Sequence, residues 1–289
     1  MTQTHTIAAT KFAKTDGIRF AYRRFGKDSE VPLLFMQHFR GGMDHWDPAV
    51  TDGFAATRQV ILFDNAGVAA SSGETPGTVE EMADHAAAFL AALDLSKVDV
   101  LGFSIGGYIA QALSLRHPAS VRRLILVSTG PRGGEPSRDP KYLEYGALTD
   151  PETKEGPLDA FLYLFFSSSE TSQAAGKAFW ARRHLRKHDV DPPSSTQAMA
   201  AQRAAITAWR EVHGERYAEL EGISQPTLVA GGHIDIMIPT INSYILSQKI
   251  PQAQLIIYPD SGHGCLFQFP ELFVAHSNLF LDGVPASLS

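Results

Sequence analysis

The sequence holds a single cysteine, Cys265, among 289 residues. No intrachain disulfide can form, and the fold has to be held by packing and hydrogen bonding alone. Long hydrophobic runs are also missing: none approaches the roughly 20 apolar residues that span a bilayer. The opening residues Met1 to Thr6 lack the basic and apolar regions of a signal peptide, and a cytoplasmic location is expected. Net charge is −6, with acids and bases interspersed and no basic run, which argues against nucleic acid or an anionic membrane as a partner. Metal-binding patterns are scarce too. His233 and Asp235 lie close together, but no further His, Cys or carboxylate at ligand spacing completes a set. Neither a metal nor another cofactor is expected, and the partner is a small-molecule substrate.

What the chain does have is a Gly-x-Ser-x-Gly pentapeptide, Gly102 to Gly106. By chance such a pentapeptide arises in roughly one chain of this length in seven, so its flanks decide its meaning. Val98, Val100, Leu101 and Phe103 form a short apolar run of the kind that makes a strand covered on both faces. Tyr108, Ile109, Ala110, Ala112 and Leu113 continue at helical spacing toward Pro118. Ser104 therefore sits on a sharp strand-to-helix turn, where small neighbours at Gly102 and Gly106 let the chain close and the serine is held exposed and strained. The same turn aims the Ile105 amide and the positive end of the helix at any oxyanion formed beside Ser104. An anion-binding turn without chemistry is the plainer reading.

A serine hydroxyl needs a base within hydrogen-bond reach and an acid that fixes the base's tautomer. Both residue types occur downstream in suitable places. Pro226 to Pro239 reads as a buried strand ending in a Gly-rich loop that carries Asp235. Ala253 to Tyr258 reads as another strand, and its following loop carries His263 between Gly262 and Gly264. Loops beyond the carboxyl ends of strands are where open α/β sheets build their sites, and the order Ser104, Asp235, His263 suits a strand-turn-helix nucleophile. Asp260 and Glu135 compete for the role of acid, and a satisfied core histidine is the alternative for His263. Cys265 reads as a small buried hydrophobe.

From about Phe20 to Phe280 the chain resembles the α/β-hydrolase superfamily. Pro32 to His38 looks like that family's third strand entering its oxyanion loop, with Trp46 in the helix that follows. Ile61 to Gly67 looks like the fourth strand and its loop. The resemblance implies a mostly parallel twisted sheet with helices on both faces, Ser104 as nucleophile, Asp235 as acid and His263 as base. Two segments depart from the family pattern. Relatives carry His-Gly after the third strand, whereas this chain has His38, Phe39, Arg40, Gly41 and Gly42. The second oxyanion amide is then that of Phe39 or Arg40, and Phe39, which follows the histidine directly, is preferred. Relatives also carry an arginine two residues after the aspartate of the fourth strand's loop; here Ala66 follows Asp64, so altered packing is expected and not altered chemistry.

Strands are readable to about Thr129 and resume at Pro226, which divides the chain into a core of residues 1–130 and 220–289 and a helical insertion over 131–219. Helical spacing runs from Asp159 to Phe166, Glu170 to His188 and Ser194 to Val212, interrupted by Pro192 and Pro193. In the resembling family such an insertion caps the nucleophile. Phe161 and Trp180 in it, and Arg40 in the loop after the third strand, are candidate substrate contacts, while Trp209 could line a pocket or simply be buried. The cluster Arg182, Arg183, His184, Arg186, Lys187 and His188 reads as a solvated helix face. The expected activity is that of a serine hydrolase acting on a small, largely apolar carboxylic ester or lactone. A perhydrolase, a carbon-carbon bond hydrolase and a receptor-like ligand binder remain open on the same scaffold. Dehalogenase and epoxide hydrolase chemistry is disfavoured, because those relatives place an aspartate where Ser104 stands.

Overall fold

In the computed structural model, residues 4–140, 142 and 158–283 are described. The expected insertion over 131–219 is thus described except for 141 and 143–157, and residues 1–3 and 284–289 of the expected core also lie outside the described residues. Eight strands form one sheet: β1 (Lys11–Thr15), β2 (Ile18–Gly26), β3 (Leu33–Met36), β4 (Gln59–Phe63), β5 (Val98–Phe103), β6 (Val121–Val127), β7 (Thr227–Gly232) and β8 (Ala253–Tyr258). Their spatial order is β1-β2-β4-β3-β5-β6-β7-β8. The β1/β2 and β2/β4 pairs are antiparallel and the remaining pairs parallel. This is the doubly covered, mostly parallel sheet of an α/β fold.

The helices are α1 (Pro48–Ala55), α2 (Val79–Ala92), α3 (Ile105–Arg116), α4 (Leu158–Phe165), α5 (Glu170–Arg183), α6 (Thr196–Trp209), α7 (Ile241–Lys249), α8 (Cys265–Gln268) and α9 (Pro270–Asp282). Strands β3, β4, β5 and β7 are buried along their whole length, because helices cover both faces and period-2 alternation serves two cores at once. Leu33, Phe35, Leu101 and Phe103 join α1, α8 and α9 on one face. Leu34, Met36, Val98 and Val100 join α2 and α3 on the other. Helix starts follow side-chain caps: Asp47 accepts from Ala49 N, Thr78 from Glu81 N, Ser169 from Ser172 N and Ser195 from Ala198 N. The strand order reverses at β3, which lies between β4 and β5. The loops leaving β3 and β5 therefore part to opposite sides of one crevice, the place where such sheets bind ligands.

Two expectations need correction. Trp46 is not in a helix; it follows a 3-10 turn at Met43–His45 and precedes α1, buried edge-on against Phe35 with ring centroids 5.0 Å apart. The basic cluster is not a solvated helix face either. Helix α5 ends at Arg183, and cations in its last turn and in the segment after it are drawn inward. Arg182 pairs with the buried Asp47 at 2.6 Å, and Arg183 is itself buried. Arg186 donates to the carbonyls of His5 (3.0 Å) and Ala8 (2.9 Å). Only Lys187 and His188 face solvent as expected.

The same segment is tied to the N-terminal strands by a buried ion network. Arg23, fully buried on β2, donates to Asp44, to Asp191 Oδ1 (2.6 Å) and to the Asp189 carbonyl (3.0 Å). Asp44 and Asp191 also exchange backbone amide donors at 2.8 and 2.7 Å. The arginine missing at position 66 is covered differently from the family pattern: Asp64 is buried and accepts from the amides of Met43 (3.0 Å) and Ala70 (3.3 Å). No described helix is long and apolar enough to cross a membrane.

Burial holds His5 as a neutral ring, its pKa pushed down to about 3. The unfolded chain takes up that proton at the ordinary value near 6.5. Between those limits the unfolded state binds more protons, so stability rises with pH and is lost on acidification. A His5→Asn variant should therefore show a shallower dependence of unfolding free energy on pH between 4 and 6, by about 1.4 kcal/mol per pH unit. Urea titrations of both proteins across that range test this, and parallel curves would refute it.

Candidate active site

Ser104 lies between β5 and α3 with φ 57° and ψ −122°, a sparsely populated conformation for a residue with a side chain. Both its backbone groups are held. Its N–H donates to the Val127 carbonyl (3.0 Å), and its carbonyl accepts from Thr129 Oγ1 (2.8 Å) and the Gly107 N–H (2.9 Å). Close approach explains the two flanking glycines. A Cβ at Gly102 would stand 2.4 Å from the Gly106 carbonyl oxygen, and one at Gly106 would stand 2.1 Å from that of Met36 at the end of β3. Neither space admits a methyl group, so the start of α3 seats directly behind β3.

The loop leaving β3 packs beside this turn. His38 donates from Nδ1 to the Phe39 carbonyl (2.8 Å) and is buried, its pKa pushed down to about 3 chiefly by that burial. Arg40 takes a left-handed φ of 66°. Its amide donates to Gln202 Oε1 of α6 (2.8 Å), and its carbonyl accepts from Ser194 Oγ (3.0 Å). Among the described residues the amides of Phe39 and Ile105 donate to no protein acceptor.

His263 follows β8 and donates from Nδ1 to Asp235 Oδ2 at 2.8 Å, with both side chains almost wholly buried. The second oxygen of Asp235 accepts the amides of Met237 and Ile238, each at 2.9 Å. Those bonds fix the carboxylate, the carboxylate fixes the tautomer, and Nε2 is left as a buried nitrogen with no partner. No hydrogen bond joins Nε2 to Ser104 Oγ in this structure; both residues line one cavity. The imidazole is wedged between Phe103 and Phe165, with ring centroids at 5.0 and 5.2 Å. The rival acids are engaged elsewhere. Asp260 accepts from Ser167 Oγ (2.6 Å) and Ser169 Oγ (2.5 Å), which hold it below the usual carboxylate range. Glu135 pairs with Arg216 at 3.0 Å.

The cavity over Ser104 encloses about 420 Å³. Helices α4, α5 and α6 supply much of its wall, including Phe161, Leu164, Phe165, Trp180 and Ile206. Arg40, Phe161 and Trp180 all lie on this lining. Trp209 does not; it is buried and stacked on Tyr108 with centroids 5.4 Å apart. The wall is fastened to the loop that carries His263, since the Gly264 N–H donates to the Phe165 carbonyl at 2.7 Å. Cys265 is buried, and its thiol is pushed up to about 12 mainly by that burial. Such a thiol carries no reactive thiolate near neutral pH. His233 is exposed and does not join Asp235. Among the described residues no group of three His, Cys, Asp or Glu could hold a metal ion. Gln202, Ser194, Arg203 and Arg210 were not legible as site residues: each lies far along the chain from the loops it meets, and no spacing rule connects them.

Comparison with known proteins identifies the family and the fold. An alpha/beta hydrolase fold protein from Chitinophaga pinensis has a structure similar to this chain, with 39% identity and a TM-score of 0.89 over 98% of this chain and 100% of that one. A pimeloyl-[acyl-carrier protein] methyl ester esterase of Nitrosomonas europaea is 31% identical over 188 residues, 62% of this chain and 69% of that protein. The structure described as Est816, an N-acyl homoserine lactone degrading enzyme, is 27% identical with a TM-score of 0.67 over 93% of this chain and 99% of that one. The sheet with its switch at β3, the strained serine at the end of β5 and a sequence match to the family's model over residues 31–270 meet in one statement: the chain belongs to the alpha/beta hydrolase fold family.

Proposed function

We propose that this protein is a serine hydrolase that opens a carboxylic ester or lactone through an acyl-enzyme, with residues 131–219 serving as a cap over the site. The observation that carries this reading is the opposition, across one cavity, of a strained Ser104 and an Asp235-oriented His263. Ester- and lactone-directed relatives support the bond class.

In the forward step Ser104 Oγ attacks the acyl carbon while His263 Nε2 takes its proton. The imidazolium that results is stabilised by Asp235, whose second oxygen is already held by two amides. The proton then passes to the leaving alkoxide. Water attacks the acyl-enzyme with the same ring as base, and the proton returns to Ser104 Oγ as the acid departs. Charge builds on the former carbonyl oxygen in both halves. The amides of Ile105 and Phe39 are assigned to it: Ile105 opens α3 at its positive end, and the rival Arg40 amide is taken by Gln202. One such donor is worth about 3 kcal/mol in the transition state.

Two outcomes follow for activity. Across p-nitrophenyl esters from acetate to decanoate, turnover should peak at one chain length with a p-nitrophenolate burst. In Ser104→Ala the burst should vanish and kcat fall by roughly 10⁴ or more, with an unchanged thermal midpoint showing that the fold survives; unchanged turnover would overturn the assignment. Gln202 is a positioning residue, acting through the Arg40 amide on the neighbouring Phe39 amide. Gln202→Ala should lower kcat about tenfold, a fraction of what an oxyanion donor is worth, while KM moves less than twofold. Gln202→Glu, which keeps an accepting oxygen, should recover most of the loss. Equal effects of both substitutions, or a change confined to KM, would remove Gln202 from this role.

A further inference from the structure

Among the described residues that line the cavity, the formal charge is of one sign. Arg40, Arg183, Arg203 and Arg210 line it, and no Asp or Glu does among the described lining residues. The chain as a whole is acidic, with 31 carboxylate against 25 Lys and Arg side chains, so an unselected lining would carry both signs.

Helix α6 shows how the charge is presented. Arg203, Ile206, Thr207 and Arg210 all face the cavity, and their spacing of three, four and seven residues defines one helical stripe. The opposite side of the helix is buried through Ala198, Ala205 and Trp209. The stripe thus offers a guanidinium at each end and an isoleucine between them. Arg203 lies over the Phe39 ring, 5.7 Å from its centroid, and Arg210 reaches the Tyr142 hydroxyl at 3.5 Å. Neither meets a carboxylate among the described residues. Both are exposed side chains, and solvated cations on a wet helix face would be the simplest description of them. That description leaves unexplained why the cations sit on the stripe that forms the cavity wall, with no acid among the described residues of that wall.

We infer that Arg203 and Arg210 form an anion subsite and that the substrate carries a carboxylate apart from the acyl group that Ser104 attacks. This deepens the hydrolase reading and rests on it. The remaining wall, with Phe161, Leu164, Trp180 and Met237, takes the apolar chain between the two ends. Planar guanidinium groups bind a carboxylate through paired N–H donors, and the attraction strengthens as the substrate displaces water from the cavity. The reacting carbonyl is assigned to the amides of the core loops after β3 and β5, and the second carboxylate to the guanidinium groups of α6.

Two p-nitrophenyl esters separate the ends of the substrate: the hexanoate and the mono-ester of adipic acid, which ends in a carboxylate. The wild-type protein should hydrolyse the adipate mono-ester with kcat/KM at least tenfold above the hexanoate at low salt, the ratio shrinking as sodium chloride screens the contact. In an Arg203→Gln/Arg210→Gln double variant the ratio should fall toward one. A ratio at or below one in the wild type, or one untouched by the double substitution, overturns the subsite. Calorimetric titration of Ser104→Ala protein with adipate reads the subsite without turnover; binding should weaken at least tenfold when both arginines are replaced, and equal binding by the two proteins counts against it. Hydrolysis of both esters without preference would remove the anion subsite and leave the hydrolase. Adipate binding through the arginines without hydrolysis of either ester would do the reverse.

Discussion

The approach of α3 to the end of β3 governs the site. Because positions 102 and 106 carry no side chain, the first turn of α3 packs against the Met36 carbonyl at a distance that would bring any Cβ to 2.1 Å. Ser104 must then leave β5 through a left-handed φ, a conformation that costs about 1–3 kcal/mol. Bonds to Val127, Thr129 and Gly107 hold it there. The same packing brings the Ile105 amide alongside the loop that leaves β3, so the proposed nucleophile and oxyanion donors are set by one contact between backbones. A larger residue at position 106 would disturb all of them together.

The helices between β6 and β7 belong to this site as much as the sheet does. Three polar fastenings bind them to it: Gln202 and Ser194 hold the two backbone groups of Arg40, the Phe165 carbonyl holds the His263 loop, and Asp191 meets Arg23 and Asp44 under the loop after β3. Charges buried this deeply repay little of their desolvation as net stability. Their directionality fixes position instead. A cavity walled by helices that also hold the oxyanion loop couples what fills the wall to the geometry at Ser104, because Gln202 and Arg203 are successive residues of one helix.

The elements proposed to carry catalysis stand out in the sequence for local reasons. A strand, a Gly-x-Ser-x-Gly turn and a helix are contiguous, and Asp235 and His263 each sit one loop beyond an apolar strand, so period and loop position alone could find them. Local order favours Phe39 over Arg40 as the proposed second oxyanion donor, but the bond that engages the Arg40 amide could not be read that way, since its acceptor, Gln202, lies 162 residues away. The basic segment after Trp180 misled for a related reason. Its cations at 182, 183 and 186 read as a wet face at helical spacing, yet the acceptors that draw them inward, Asp47 and the carbonyls of His5 and Ala8, come from the other end of the chain. Trp180 and Trp209 were indistinguishable by type and differ only in which side of the packed helices they reach.

Electrostatics in the cavity divides between groups that hold their charge state near neutral pH and the pair proposed to transfer a proton. His38 stays neutral because burial has pushed it to about 3, and burial, with the nearby Arg183 guanidinium, also drives His45 well below its ordinary value. Arginines do not lose their protons in the accessible range. Near neutral pH the positive potential of the described wall is therefore constant, contributed by arginines and untouched by these rings. A catalytic histidine placed among other titrating rings would share its protons with them and blur its own response. Keeping His38 and His45 neutral removes those competitors, so the proposed proton exchange between Ser104 and the His263 pair would run against a fixed field.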